Sequence, residues 1–188
     1  DSLQAAAHVD VWHATASDDR PGVVETCCEA WLTEKERERA DRFRRPTSRN
    51  QHVIGRGMAR RLLGGDEVDA TSIRFQETDY GKPTVDWPPQ ARQPFNIAHT
   101  EGLVLCGISS ATSETYLLGV DVERIERRTD PKLAERYFSP PENRFLQNFS
   151  DPDDRKAAFL RVWTLKESFI KAIGTGSVWN RTNGKIHC

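Results

Sequence analysis

Residues 116–123, YLLGVDVE, decide how this chain divides. The run alternates apolar and acidic residues at its end, which is the period of a half-buried strand. Asp121 and Glu123 stand two apart, so on a strand both carboxylates leave the same face, among Val120, Val122 and Ile125. Two strand-like runs precede it, FNIAHT at residues 95–100 and the apolar stretch 102–109, and a polar loop over 110–115 separates them from it. Residues 116–123 are therefore expected to form a strand antiparallel to the one before. The order is strand, helices and strands up to about residue 112, then strand and helices again. It predicts two α+β halves, 1–111 and 112–188.

Working outward, VDVWH at residues 9–13 predicts a first strand, and a helix follows over 23–31. Thr33 with Glu36 three residues on has the spacing of a capping box. The next helix is expected over 48–63, with Val53, Ile54, Met58, Leu62 and Leu63 on one apolar face and Gly64-Gly65 as its stop. A short strand over 72–76 leads to a turn at Gly81-Lys82-Pro83. Beyond a charged linker at 124–130, helices are expected over 131–138, 141–148 and 155–173, the last closed by Gly174 and Gly176. The remaining tail is too short to complete a second sheet.

Composition limits the function classes. Hydrophobic content of 37% with 29% charged residues describes a soluble globular chain rather than a disordered one. A net charge of -1 argues against wholesale nucleic-acid binding. No apolar run approaches the ~20 residues that span a bilayer, so no membrane association is expected. The first residues have neither a basic start nor an apolar core, so no signal peptide is expected, and the chain begins at Asp1 without a Met. Cys27, Cys28, Cys106 and Cys188 lack metal-ligand or redox spacing and read as free thiols of a cytoplasmic protein.

The third informative stretch is WTLKESFIK at residues 163–171. Glu167 and Lys171 stand four apart, on one helix face. Asp121, Glu123 and Glu167 together with Lys171 and His99 suit chemistry on a phosphate ester, and carboxylates without a Cys/His cluster fit Mg²⁺ better than Zn²⁺. Spacing alone leaves the bland alternatives open: a solvent-facing acidic edge, a surface Glu–Lys pair, a structural histidine and a plain turn lysine at Lys82. The arginine-rich stretch 35–61 is either a solvated basic face or a phosphate-binding surface. An acidic D-x-E pair with a later lysine also fits a Mg²⁺-dependent nuclease, but the basic residues lie far upstream of the carboxylates.

Taken in order, these stretches resemble the 4′-phosphopantetheinyl transferase superfamily, in its longer, surfactin-synthetase-activating type. GVDVE matches the family's G-[IV]-D-[IV]-E motif, WTLKESFIK its W-x-x-K-E-[AS]-x-x-K motif, and Tyr80-Gly81-Lys82-Pro83 its upstream G-K-P element. FNIAHT matches F-N-x-S-H-[ST] except that Ala98 stands where serine is usual. The resemblance implies transfer of the phosphopantetheine arm of coenzyme A to a serine of an apo acyl or peptidyl carrier protein, in a monomer built as a pseudo-dimer of two similar α/β halves with the active site at their interface. It implies Asp121, Glu123 and Glu167 as ligands of Mg²⁺, with Mn²⁺ as the alternative ion. Glu167 would serve as general base and Lys171 as the group stabilising the leaving phosphate, with Lys166 assisting or orienting the helix end. Lys82, His99 and Thr100 would contact the nucleotide end of coenzyme A, with Arg39 as a basic phosphate contact and Arg60 in the arginine-bearing helix. Loss of the serine hydroxyl at Ala98 is expected to weaken coenzyme A binding by one charged hydrogen bond, ~1.5–3 kcal/mol. A non-catalytic homologue that binds coenzyme A or carriers is the alternative. The match fades past Gly176, where the long type continues into further strands, so the C-terminal end is expected to be truncated.

Overall fold

The computed structural model describes residues 8–111, 116–130 and 132–174. Within them the fold is α+β. Strand β1 (Val9–Thr15) leads into three helices: α1 (Val23–Glu29), α2 (Glu34–Asp41) and the long α3 (Pro46–Gly64). A hairpin of β2 (Arg74–Glu77) and β3 (Pro83–Trp87) follows, then β4 (Phe95–Thr100) and β5 (Leu103–Ser109). The later part holds α4 (Lys132–Tyr137), α5 (Pro140–Gln147) and α6 (Pro152–Ile173). The main sheet is antiparallel in the order β1-β5-β4, with β4 and β5 joined by a tight turn in which Gly102 takes φ +77°.

Helix α3 packs on one face of this sheet and organises two cores. Ala59 and Leu63 meet Ile73, Val85, Phe95 and Ile108, while Val53 and Ile54 meet Leu32, Ala40 and Val104. Leu32, Ile54 and Val53 are fully buried, each worth about 1.5–3 kcal/mol of transfer free energy. The Thr33–Glu36 box forms, and its Glu36 also accepts from Arg60 Nε at 2.7 Å. A third core gathers α4, α5 and α6 through Phe138, Leu146, Phe159 and Leu160, with Phe138, Phe159 and Trp163 stacked at centroid distances of 5.1 and 5.9 Å.

The decisive stretch departs from its expected form. Residues 116–123 join no strand ladder, and among the described residues after 111 there is no strand at all. Alternation reports half-burial, not pairing. Here the burial comes from a different neighbour on each side. Val120 donates its N–H to the Asn96 side-chain Oδ1 at 2.9 Å, so its backbone is satisfied by a side chain rather than by a neighbouring strand. Gly119 is pressed onto α6, leaving no room for an intervening strand: a Cβ on it would fall 1.9 Å from the Ser168 carbonyl oxygen. The tail expected beyond Gly174 and part of the 110–115 loop lie outside the described residues, as does Cys188, while Cys27, Cys28 and Cys106 are free thiols. Among the described residues no helix is long and apolar enough to cross a membrane.

Candidate active site

The three stretches singled out in the sequence converge through backbone contacts. On β4, neighbouring residues face opposite sides of the sheet. Ile97 and His99 face the α3 side, whereas Asn96 and Ala98 face the side covered by residues 118–120. Gly107, paired with Asn96 across the hairpin, admits Val120: a Cβ there would meet Val120 Cγ1 at 2.6 Å. Lys82 fastens the arrangement from the β2–β3 hairpin. Its ammonium donates to the Leu118 carbonyl at 3.0 Å and the Ala172 carbonyl at 2.7 Å, the latter in the last turn of α6, where a cation offsets the helix dipole. The lysine expected on the nucleotide is thus occupied in joining three segments.

These contacts place Asp121 beside α6. Its Oδ1 accepts from Lys171 Nζ at 2.5 Å, and the side chain is only 9% exposed. Its Oδ2 is buried with no hydrogen-bond partner. Glu123 accepts from Arg127, whose guanidinium also lies over Trp163, 5.9 Å from the ring centroid. Burial, then the Asp121 charge, push the Glu167 carboxyl above its ordinary range, with Glu123 adding to this and Lys171 only partly offsetting it. Burial and Lys171 hold His99 below the usual imidazole value, so it is neutral at pH 7. An orphaned buried carboxylate oxygen within a set of carboxylates that repel one another suits a hard divalent cation. Among the described residues, however, no three His, Cys, Asp or Glu side chains are gathered closely enough to hold one. Lys171 and Arg127 supply the positive charge instead.

Lys166 turns the other way. Successive helical residues are rotated by about 100°, so the neighbour of Glu167 enters the helical core and pairs with Glu142 at 2.9 and 2.8 Å. Glu142 in turn accepts from the Ser139 N–H at 2.6 Å, capping α5. Burial pushes the Glu142 carboxyl up, but the hydrogen bonds from Lys166 and Ser139 outweigh it and leave it below the ordinary value. A carboxyl lowered by folding stabilises above its unfolded value of 4.5, and that stabilisation is lost as pH falls through the lower folded value. Glu142→Gln, which removes the carboxylate charge from this buried pair, is expected to lower stability at pH 7 by about 1–3 kcal/mol. The difference from the parent should be smaller at pH 3, where the parent carboxyl is nearer to taking up its proton. Urea denaturation at both pH values checks this.

A cavity of about 320 Å³ lies on the α3 side of β4, lined by His99, His52, Arg56, Gln51, Ser48 and Phe43 among others. His52 Nε2 and Arg56 Nη1 are buried there without partners. Burial, with Arg56 and Arg39, holds His52 down to about 4, so its imidazole is neutral. Arg39 and Arg56 both reach Glu77, at 3.4 and 3.5 Å. The Thr100 carbonyl accepts from Gln51 at 2.7 Å. Arg60 is buried away from the cavity, bound to Glu36 and to the carbonyls of Ala70 and Ile73. Ala98, 1% exposed, lies on the other face of the sheet from His99, so its methyl does not mark a missing hydroxyl in this cavity. Spacing did not single out His52, Arg56, Arg127, Asn96 or Glu142. Arg56 lay within the basic stretch and Asn96 within FNIAHT, and the others carried no signal of their own. A larger groove of about 1060 Å³ runs between the β2–β3 hairpin and the end of α6, and it contains none of the carboxylates.

The α+β fold thus sets an acid–base cluster drawn from distant segments beside a basic cavity. The family model described as the 4′-phosphopantetheinyl transferase superfamily matches residues 117–186. Over 150 residues the chain is 35% identical to the 4′-phosphopantetheinyl transferase HetI of Nostoc sp., covering 78% of this chain and 61% of that one. It is 30% identical over 148 residues to the 4′-phosphopantetheinyl transferase Sfp of Bacillus subtilis, covering 78% and 62%. A third relative, the 4′-phosphopantetheinyl transferase gsp of Aneurinibacillus migulanus, is 39% identical over 105 residues, covering 56% and 40%. The chain is thus similar to 4′-phosphopantetheinyl transferases over more than three quarters of its own length. It spans about three fifths of the length of the first of these relatives.

Proposed function

We propose that this protein transfers 4′-phosphopantetheine from coenzyme A to a serine hydroxyl of an apo acyl or peptidyl carrier protein and releases adenosine 3′,5′-bisphosphate. The observation that carries this reading is the contact of Lys171 with Asp121, which brings the GVDVE and WTLKESFIK stretches into one site. In the reaction the serine oxygen attacks the phosphorus that bears the pantetheine arm. The phosphoanhydride bond to the bisphosphate breaks, and the serine proton passes to a base. Glu167 is that base: its raised carboxyl holds a proton more readily than an ordinary glutamate at the working pH. Lys171 supplies a fixed positive charge to the departing phosphate.

Asp121, Glu123 and Glu167 would hold Mg²⁺, or Mn²⁺ in its place. Such an ion, when bound, offsets charge on the pyrophosphate. The nucleotide end of coenzyme A is assigned to the cavity of His99, His52 and Arg56, where unpartnered buried nitrogens face a space suited to an anion. Arg39, exposed at its rim, and Thr100 complete this assignment, while Lys82 acts through the backbone it holds. The pseudo-dimer, with halves 1–111 and 112–188, is part of the same proposal. It is supported by a site that draws His99 from before residue 111 and its carboxylates from after it. A cytoplasmic monomer fits the free thiols.

Incubation with coenzyme A, Mg²⁺ and a panel of apo carrier proteins is expected to add the phosphopantetheine mass to the carrier serine, and EDTA is expected to stop it. Folded protein that binds coenzyme A yet modifies no carrier would replace this reading with that of a binding homologue.

A further inference from the structure

Lys82 is a cation placed where it meets no anion. Its ammonium donates to two carbonyls, Leu118 at 3.0 Å and Ala172 at 2.7 Å, and among the described residues it has no carboxylate partner. Burial holds it below the ordinary lysine value. The turn that carries it is fixed at its base. The Thr78 N–H donates to the Lys82 carbonyl at 2.9 Å, the Lys82 N–H donates to Thr78 Oγ1 at 3.1 Å, and Gly81 takes φ +80° between them. The stem of Lys82 lies against Gly174, where an added Cβ would stand 3.4 Å from Lys82 Cδ. Lys82 does not line the cavity of His99 and His52, although its neighbour Pro83 does.

Both carbonyls stand next to the Asp121–Lys171 contact. Leu118 precedes Asp121 by three residues, and Ala172 follows Lys171 directly. The Ala172 carbonyl is in the last turn of α6, where helix carbonyls lack an intrahelical donor, and Leu118 is buried in a segment that joins no strand ladder. A lysine turned toward a phosphate would deprive both of this donor. We propose that Lys82 is a positioning residue for the transfer: it touches no part of coenzyme A, ties the segment before Asp121 to the turn that holds Lys171, and so fixes these two side chains against each other. The expected effect on rate rests on the transfer reading above, whereas the tie itself does not.

Lys82→Met keeps most of the stem and removes the cation. Amide hydrogen exchange followed by mass is expected to become about 10-fold faster in residues 117–123 and to stay unchanged in α3. Affinity for adenosine 3′,5′-bisphosphate, measured by calorimetry, should stay within about 2-fold of the parent, whereas loss of a lysine bound to the nucleotide would cost about 10-fold or more. Carrier modification at saturating coenzyme A should slow about 10- to 100-fold with the KM for coenzyme A little changed, as for a displaced group rather than a lost contact. In a Lys171→Met background the same change should slow transfer less than about 2-fold, because the group it positions is gone. Unchanged exchange in residues 117–123, a 10-fold loss of bisphosphate affinity, or losses that multiply in the double variant overturn the inference. If the parent modifies no carrier and binds no bisphosphate, the transfer reading falls, while the exchange experiment still decides whether Lys82 ties the segment. Should Lys82→Met fail to fold, Lys82→Gln, which keeps a neutral donor on a shorter stem, is held to the same outcomes.

Discussion

Glu167→Gln is expected to give a protein that is more stable at neutral pH and nearly inactive. The loss follows from its proposed role: removing a positioned base alone costs about 10²–10⁴-fold in rate, and a ligand for the divalent cation goes with it. The gain follows from the electrostatics. Burial and the charge of Asp121 raise the Glu167 carboxyl in the folded state. A carboxyl whose folded value lies above its unfolded one is ionised more reluctantly in the native protein. Its charge therefore costs stability above the folded value, and the cost disappears below the unfolded value of 4.5. Glutamine removes that cost. Thermal melts should place the variant above the parent at pH 7.5 and level with it near pH 4, with carrier modification followed by mass in parallel. A melting temperature below the parent's at pH 7.5, or undiminished transfer, would contradict the role assigned to this residue.

Gly119→Ala is expected to be strongly destabilising. Its added Cβ would lie 1.9 Å from the Ser168 carbonyl oxygen and 2.5 Å from the Ala172 nitrogen, both backbone atoms of α6. A helix backbone cannot swing aside as a side chain can, so residues 118–123 must lift off. Lifting them breaks the Val120–Asn96 bond and moves Asp121 from Lys171. The cost is expected at or above the upper end of the ~1–3 kcal/mol typical of overpacking. Gly107→Ala is a graded comparison, because it meets Val120 Cγ1 at 2.6 Å, the end of a side chain that can move. Urea denaturation should rank Gly119→Ala well below Gly107→Ala, and a loss under ~1 kcal/mol at Gly119 would contradict the packing described.

The helices of this fold are legible because their signals are local. Thr33 with Glu36 starts α2, Gly65 with φ +56° ends α3, and Gly174 with φ +68° ends α6. The apolar residues of α3 identify its buried face for the same reason. Residues 116–123 alternate without pairing, because alternation reflects which residues are covered, while a strand is defined by what its backbone bonds to. Nothing in YLLGVDVE says that Val120 would bond to a side-chain amide 24 residues earlier. Of the site, the residues grouped by motif could be named, but their partners could not. Lys82 reads as a turn lysine and proves to span 90 residues to reach Ala172. Ala98 and His99 read as neighbours in one motif, yet the pleat sends them to opposite faces. Arg127 and Glu142 carry no local pattern, since an ion pair across a gap of other residues has no period.

Lys166 and Glu167 are adjacent letters that answer to different neighbourhoods. Position 166 is tied to position 142 by a buried charge pair, and position 167 to positions 121 and 123 through the acidic cluster. In a set of related sequences, exchange at 166 should therefore track exchange at 142, as an apolar pair replacing a charged one. Position 167 should vary only with the chemistry of the reaction. One dipeptide would then show two independent histories of substitution, one governed by the folding of the α5–α6 helix pair and the other by the acidic cluster and the role proposed for it.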